Sequence, residues 1–171
     1  MVDVYSVANT LFREASKLDI KIKNLPKLQS LLFFAQYYYY KNFQTELIDE
    51  VFYKGEIHPF IPSLRRILKI ENLLDENENF VNGGDIIISF PYYEEFENSE
   101  ILSKAEFCAG TIKPNSDTRK FIKHFLYNFG DCSLLDFYGL FARNEKILNI
   151  RYNENPITTM LTAEEIIKCE F

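Results

Sequence analysis

Leu25-Pro-Lys-Leu-Gln-Ser-Leu-Leu-Phe-Phe-Ala-Gln-Tyr-Tyr-Tyr-Tyr-Lys-Asn42 is the stretch on which the fold turns. Proline suits the first turn of a helix, where its missing N–H would have no partner anyway, so Pro26 marks a start. From there Leu28, Leu32, Ala35, Tyr39 and Phe43 fall on one helical face. Leu31, Phe34 and Tyr38 fall on a second, and Phe33, Tyr37 and Tyr40 on a third. A helix that is apolar nearly all round belongs at the buried centre of a bundle. The sequence therefore predicts a central helix from Pro26 to about Asn42, with the phenol oxygens of Tyr37 to Tyr40 at its rim.

Working outward, Val4, Val7, Ala8, Leu11, Phe12 and Ala15 repeat at helical spacing and predict a first helix over about Val4–Lys17. Beyond the central helix, a short helix is expected at about Thr45–Tyr53, then a turn around Gly55. Pro59 and Pro62 bracket Phe60-Ile61 before a helical pattern resumes from Ser63 to Lys69. Asn82-Gly83-Gly84-Asp85 is a turn signal, and Asp85-Ile-Ile-Ile-Ser-Phe90 reads as a short β-branched strand with Phe107-Cys-Ala-Gly-Thr-Ile112 as its partner. Asn115, Ser116 or Asp117 can cap a helix carrying Phe121, Ile122, Phe125, Leu126 and Phe129, which Gly130 stops. Ser133 with Asp136 and Thr162 with Glu165 have capping-box spacing and open two more helices. The expected fold is mainly α. It is a compact helical domain with a central buried helix and a small antiparallel β-hairpin insert.

The chain of 171 residues falls within the usual range for one domain, here 1–171, and its 16 Phe and 11 Tyr supply ample apolar surface for a core. The net charge of −6 is unevenly placed. Residues 1–70 hold 10 Lys/Arg against 7 Asp/Glu, residues 71–106 hold 1 against 10, and residues 107–171 hold 8 against 8. The acidity thus sits in an insert at about 71–113, an arrangement unlike the basic face of a general nucleic-acid binder. Cys108, Cys132 and Cys169 include no close pair and suggest neither a disulfide framework nor a zinc site, so a reducing, cytoplasmic setting is expected. No signal peptide or stretch of about 18 apolar residues is evident.

The catalytic inventory is thin. His58 and His124 are the only histidines, and neither stands in a metal-ligand spacing. Phosphate-binding glycine motifs and a nucleophile elbow are absent from the sequence. A Cys132–His124 dyad has no motif in its favour. Glu94 and Glu95 are consecutive and so diverge, which makes them a poor acid–base pair. The acidic stretch lacks the order of a calcium loop, and no cofactor or metal site is expected.

Lys27-Leu-Gln-Ser-Leu-Leu-Phe-Phe-Ala-Gln36 resembles the KLQKLLYFAQ-type helix of the Panacea antitoxin domain family, also called SocA-like or phage-associated GepA-like. Val7-Ala-Asn-Thr-Leu-Phe12 resembles that family's first helix, and His58-Pro-Phe-Ile-Pro62 takes the place of its Gly-Pro-Val-Val-Pro turn, with His58 standing where the family has glycine. The resemblance is specific over residues 4–69. It implies a protein without enzymatic activity that neutralises a cognate toxin by direct binding, the toxin commonly being encoded by an adjacent gene. The expected contact surface gathers around Gln36, Tyr40, His58, Pro59 and the acidic Glu94, Glu95 and Glu97, whose charge would steer a basic partner. Two alternatives come from other classes. One is a motif-poor enzyme centred on His58 or Cys132. The other is a DNA-binding autoregulator using Arg65, Arg66 and Lys69.

Overall fold

The computed structural model describes residues 1–81, 110–149 and 159–171. Helices dominate these residues, and five of the six start where a local side chain accepts a free N–H of the first turn. Helix α1 (Val4–Lys17) is capped by Asp3, whose Oδ1 accepts the Ser6 N–H at 2.8 Å. Helix α2 (Leu25–Phe43) is capped by Asn24, whose Oδ1 accepts the Lys27 N–H at 2.9 Å, with Pro26 in its first turn. Helix α3 spans Pro62–Ile70 and also starts on its proline. Helix α4 (Asp117–Phe129) is capped by Ser116 and followed by Gly130. Helix α5 (Leu134–Ala142) opens with a reciprocal box, the Asp136 N–H donating to Ser133 Oγ and the Ser133 N–H to Asp136 Oδ2. A 3₁₀ turn at Glu145–Ile147 follows, and helix α6 (Ala163–Ile167) begins with the same box between Thr162 and Glu165.

The core forms around α2, whose residues from Leu28 to Tyr37 are all buried. Phe33 meets Phe52 edge-on at 5.4 Å, and Phe34 stacks on Phe141 at 5.0 Å and on Phe137 at 5.3 Å. Such pairs each add about 0.5–1.5 kcal/mol beyond burial. Phe171 closes this cluster, 4.7 Å from Phe34 and 5.0 Å from Tyr37. One cluster of buried side chains draws on all six of these helices.

Residues 45–60 depart from expectation. No helix forms at Thr45–Tyr53, because the backbone there is claimed by distant partners. Gln44 turns into the left-handed region at φ 56° and ends α2. The Val2 N–H then donates to Leu47 O at 2.7 Å and the Asp49 N–H to Val2 O at 3.1 Å, which holds the chain extended. Further on, Tyr53 and Phe60 exchange two backbone hydrogen bonds, the Leu161 N–H donates to Phe52 O and the Lys54 N–H to Thr159 O. The result is an extended arm laid across the body, and Leu47, Ile48 and Phe52 are buried beneath it.

Among the described residues there are only isolated β-bridges and no sheet. The expected hairpin of 85–90 with 107–112 lies almost wholly outside the described residues, as do Cys108 and Pro156. The described ends of the acidic insert both rest on α1. Phe80 is buried and meets Phe12 edge-on at 5.2 Å. At the other end the Ile112 N–H donates to Thr10 Oγ1 at 3.0 Å. Arg119 completes this attachment by donating to the Ile112 carbonyl and, through Nε at 2.9 Å, to Glu14 Oε1. Burial pushes the Glu14 carboxyl up, but hydrogen bonds from Lys17 and Arg119 outweigh it and hold it below the ordinary value.

Candidate functional site

Two glutamines of α2 position the site. Gln29 and Gln36 stand seven residues apart, two helical turns, and so project from one side of α2. Both are buried, in a stretch of helix otherwise apolar but for Ser30, and a buried amide requires partners. Gln36 Oε1 accepts the N–H groups of both Leu47 and Ile48 at 2.9 Å. Gln29 makes a two-way pair with Ile61, its Oε1 accepting the Ile61 N–H at 2.9 Å and its Nε2 donating to the Ile61 carbonyl at 3.1 Å. The two side chains therefore clip both ends of the extended arm to the central helix. The His58–Pro62 turn is held by the second clip.

Within the arm, Gly55 permits a close backbone approach. A Cβ there would lie 2.2 Å from the His58 carbonyl oxygen, so only glycine lets the chain fold back this tightly. The fold-back brings His58 to the wall of a cleft of about 560 Å³. Its floor includes Leu25, Pro26 and Phe60, and Tyr138 of α5 forms the opposite side. The His58 and Tyr138 rings are parallel to within 3° at a centroid distance of 5.9 Å. The Arg65–Glu78 ion pair, Nη2 to Oε1 at 2.5 Å, closes one end, and Lys69 Nζ approaches the same oxygen at 4.0 Å. A volume of this size falls in the range of ligand pockets.

The chemistry of His58 follows from its surroundings. Nδ1 lies 2.8 Å from the Pro59 carbonyl, which can only accept, so Nδ1 carries the proton and Nε2 of the neutral ring is an acceptor. Burial lowers its pKa, against smaller opposing effects of the Pro59 carbonyl and the Glu78 carboxylate. The Tyr138 hydroxyl is shifted up by burial as well. At neutral pH the cleft therefore presents a neutral imidazole, a neutral phenol and a mutually paired Arg65 and Glu78.

The residues expected to contact a partner are not gathered at one place. His58 and Pro59 belong to this cleft and its turn. Gln36 does not face solvent, since it is buried and its carbonyl oxygen is occupied by the arm. Tyr40 is half-buried near the C-terminal end of α2 and is not part of the cleft wall. Glu94, Glu95 and Glu97 lie outside the described residues. Cys132 is half-buried, and its thiol is pushed up by burial and by Asp136, the opposite of an activated nucleophile. Cys169 is buried and its thiol is pushed up to about 11. His124 is exposed on α4, and no hydrogen bond joins it to Cys132 among the described residues. No group of three or more His, Cys, Asp or Glu able to hold a metal occurs among the described residues. Of the basic residues on α3, Arg65 and Lys69 share Glu78.

Sequence reasoning missed Gln29, Tyr138 and the outer face of α5. That helix reads Leu-Leu-Asp-Phe-Tyr-Gly-Leu-Phe-Ala, yet only Phe137 and Phe141 are buried. Leu135 is 79% exposed, Gly139 and Ala142 are exposed, and a Cβ added at Gly139 would meet nothing within 4 Å. Positions 135, 138, 139 and 142 share one helical face, so this apolar surface runs into the cleft through Tyr138. Ile57, 54% exposed, stands on the cleft's other wall. No helix among the described residues is long and apolar enough to cross a membrane. No family model matches the chain, and neither a curated protein nor a solved structure is significantly similar to it.

Proposed function

We propose that the chain is an antitoxin-type interaction module that neutralises a cognate toxin by binding it directly. The observation that carries this reading is the exposed apolar face of α5, formed by Leu135, Gly139 and Ala142 and entering the His58 cleft at Tyr138, with the exposed Ile57 on the cleft's other wall. Apolar surface of this kind, rimmed by charged groups such as Arg65, Glu78 and Glu56, suits a protein partner that buries it. An exposed glycine in mid-helix costs about 1 kcal/mol relative to alanine and is suited to close approach of a partner's backbone. The resemblance of Lys27–Gln36 to the Panacea helix adds to this, since both of its glutamines are the clips that shape the cleft. The test is co-expression with the product of the adjacent gene. Toxicity of that product, rescue by this chain, and loss of rescue in Leu135→Asp with Ile57→Asp support the reading. A non-toxic neighbour, or rescue untouched by both substitutions, contradicts it.

One observation favours a second reading, an enzyme centred on His58. The cleft gathers a neutral histidine, a tyrosine and the Glu78 carboxylate, a set able to move protons. A bound metabolite whose binding is abolished by His58→Ala, with rescue unaffected, would favour this reading over the first.

A further inference from the structure

The polar groups of the His58 cleft are unequally divided between donors and acceptors. Among the described residues Arg65 is the only cationic side chain that lines it, and its guanidinium is engaged by Glu78, with Nε 2.6 Å and Nη2 2.5 Å from Oε1. Gln29 is likewise engaged by Ile61 at both ends of its amide. The acceptors are less committed. Glu56 lines the cleft with its side chain in solvent, and no described residue pairs with it. His58 Nε2 carries a lone pair, because Nδ1 holds the proton against the Pro59 carbonyl. Two carboxylates thus face one guanidinium among the lining side chains. Lys69 reaches Glu78 Oε1 only at 4.0 Å and from outside the lining, which leaves Glu56 without a counter-charge.

The remainder of the cleft is apolar, with Leu25, Pro26, Ile57 and Phe60 in its lining. Because the His58 and Tyr138 rings are parallel to within 3°, a planar group laid against either ring is parallel to both. An anion entering here meets two carboxylates, with the one guanidinium already taken. A purely apolar side chain strips water from Glu56 and from His58 Nε2 without replacing the hydrogen bonds. The complement of this lining is a planar, donor-rich cation on an apolar stem. A guanidinium has that form, with five donors in one plane and a face that stacks on aromatic rings. An ammonium is a compact, strongly hydrated point charge that gains little from parallel rings.

We propose that the His58 cleft receives an arginine side chain of the partner protein. The inference rests on the reading of this cleft as the partner's contact site and gives that contact its chemistry. The methylene stem of the arginine lies on Pro26, Ile57 and Phe60. Its guanidinium stacks on the Tyr138 ring, donates to His58 Nε2 and pairs with Glu56. Arg65 stays on Glu78 and closes that end of the cleft. The exposed face of α5 at Leu135 packs against the partner surface around the arginine and keeps water from the pair.

The test uses the isotope-labelled full chain and a terminally blocked glycine pentapeptide carrying one central arginine, read by NMR shifts of the His58 and Tyr138 rings. The controls are the same peptide with lysine, citrulline or norleucine in place of arginine, together with free arginine and inorganic phosphate. Saturable shifts of both rings are expected with the arginine peptide, at about fivefold lower affinity with lysine, and none with citrulline, norleucine or phosphate. Glu56→Gln, at an exposed side chain, should weaken the arginine peptide about fivefold and leave melts unchanged. Absence of saturable shifts overturns the proposal. So does equal affinity for the lysine or a neutral peptide, binding of phosphate, or affinity unchanged in Glu56→Gln. Free arginine bound more tightly than the peptide marks a metabolite pocket and overturns it as well. These failures are distinct from failure of the antitoxin reading, which is decided by toxicity of the adjacent gene's product and by rescue. A non-toxic neighbour with arginine binding intact strikes that reading alone.

Discussion

Replacing Gln29 by Glu and, separately, Gln36 by Glu makes the same chemical change at two buried sites with opposite expected results. Gln36 uses only its carbonyl oxygen, which receives two backbone N–H groups. A carboxylate keeps both bonds and strengthens them by its charge, offsetting its desolvation, so Gln36→Glu should change stability by no more than about 1 kcal/mol. Gln29 uses both ends of its amide. The same substitution there removes the donor to the Ile61 carbonyl and sets two lone-pair-bearing oxygens against each other in a buried site. Losing that bond while burying an uncompensated charge should cost about 3 kcal/mol. For a chain of this length that lowers Tm by roughly 6–12 °C. The pH dependence also separates the two. The carboxyl introduced by Gln29→Glu has a folded pKa raised above its unfolded value, and its protonated form can donate to Ile61. The deficit should therefore shrink as pH falls through that raised pKa. In Gln36→Glu two N–H donors lower the folded pKa, so its contribution is present above the unfolded value and lost as pH falls. Urea melts of both variants at neutral and mildly acidic pH provide the measurement. Equal losses at both positions, or a Gln29→Glu deficit independent of pH, would refute the clip geometry.

Other consequences can be checked as directly. Arg119→Met strands Glu14 in a buried site with Lys17 alone and should destabilise by about 3 kcal/mol, and adding Glu14→Leu should recover part of that loss in chemical melts. Because the Glu14 carboxyl titrates below its ordinary value of 4.5, the wild-type chain should lose the stability of this pair as pH drops through that lowered pKa, and Glu14→Leu with Arg119→Met should flatten that part of the profile. His58 should titrate below 6.5 by NMR; its neutral form is the one the fold favours, so stability falls as pH drops below the unfolded value, and His58→Phe should reduce that dependence. Cys169 should resist thiol reagents at neutral pH until the chain is unfolded, and a rapid reaction in the native state would contradict its burial. Glu94, Glu95 and Glu97 changed together to Gln should slow partner association and weaken its salt dependence while leaving melts unchanged; identical on-rates would exclude steering by this segment.

The helices were legible because their determinants are local. Pro26 marks the first turn of α2, Ser116, Ser133 and Thr162 each accept an N–H three residues on, and the largely apolar run from Leu28 to Tyr40 places α2 at the centre. The arm from 45 to 60 was misread as partly helical because what holds it lies far along the chain. Its N–H groups at Leu47, Ile48 and Asp49 go to Gln36 and Val2, Gln29 holds Ile61 just beyond it, and nothing in residues 45–53 signals that. A signal was nonetheless available in α2 itself, where a polar amide in an all-round apolar helix must find a partner. It was read instead as a contact surface at Gln36 and passed over at Gln29. The Glu14–Arg119 pair spans 105 residues and had no local trace. The exposed face of α5 was hidden by composition, since Leu135 and Phe137 look equally suited to a core and only packing separates them.

The most direct measurement is hydrogen–deuterium exchange of the chain alone and in complex with the product of the adjacent gene. Direct binding through the His58 cleft and its apolar margin predicts slowed exchange in residues 55–60 and 134–142. Unchanged exchange in both segments, with a complex formed, would contradict it.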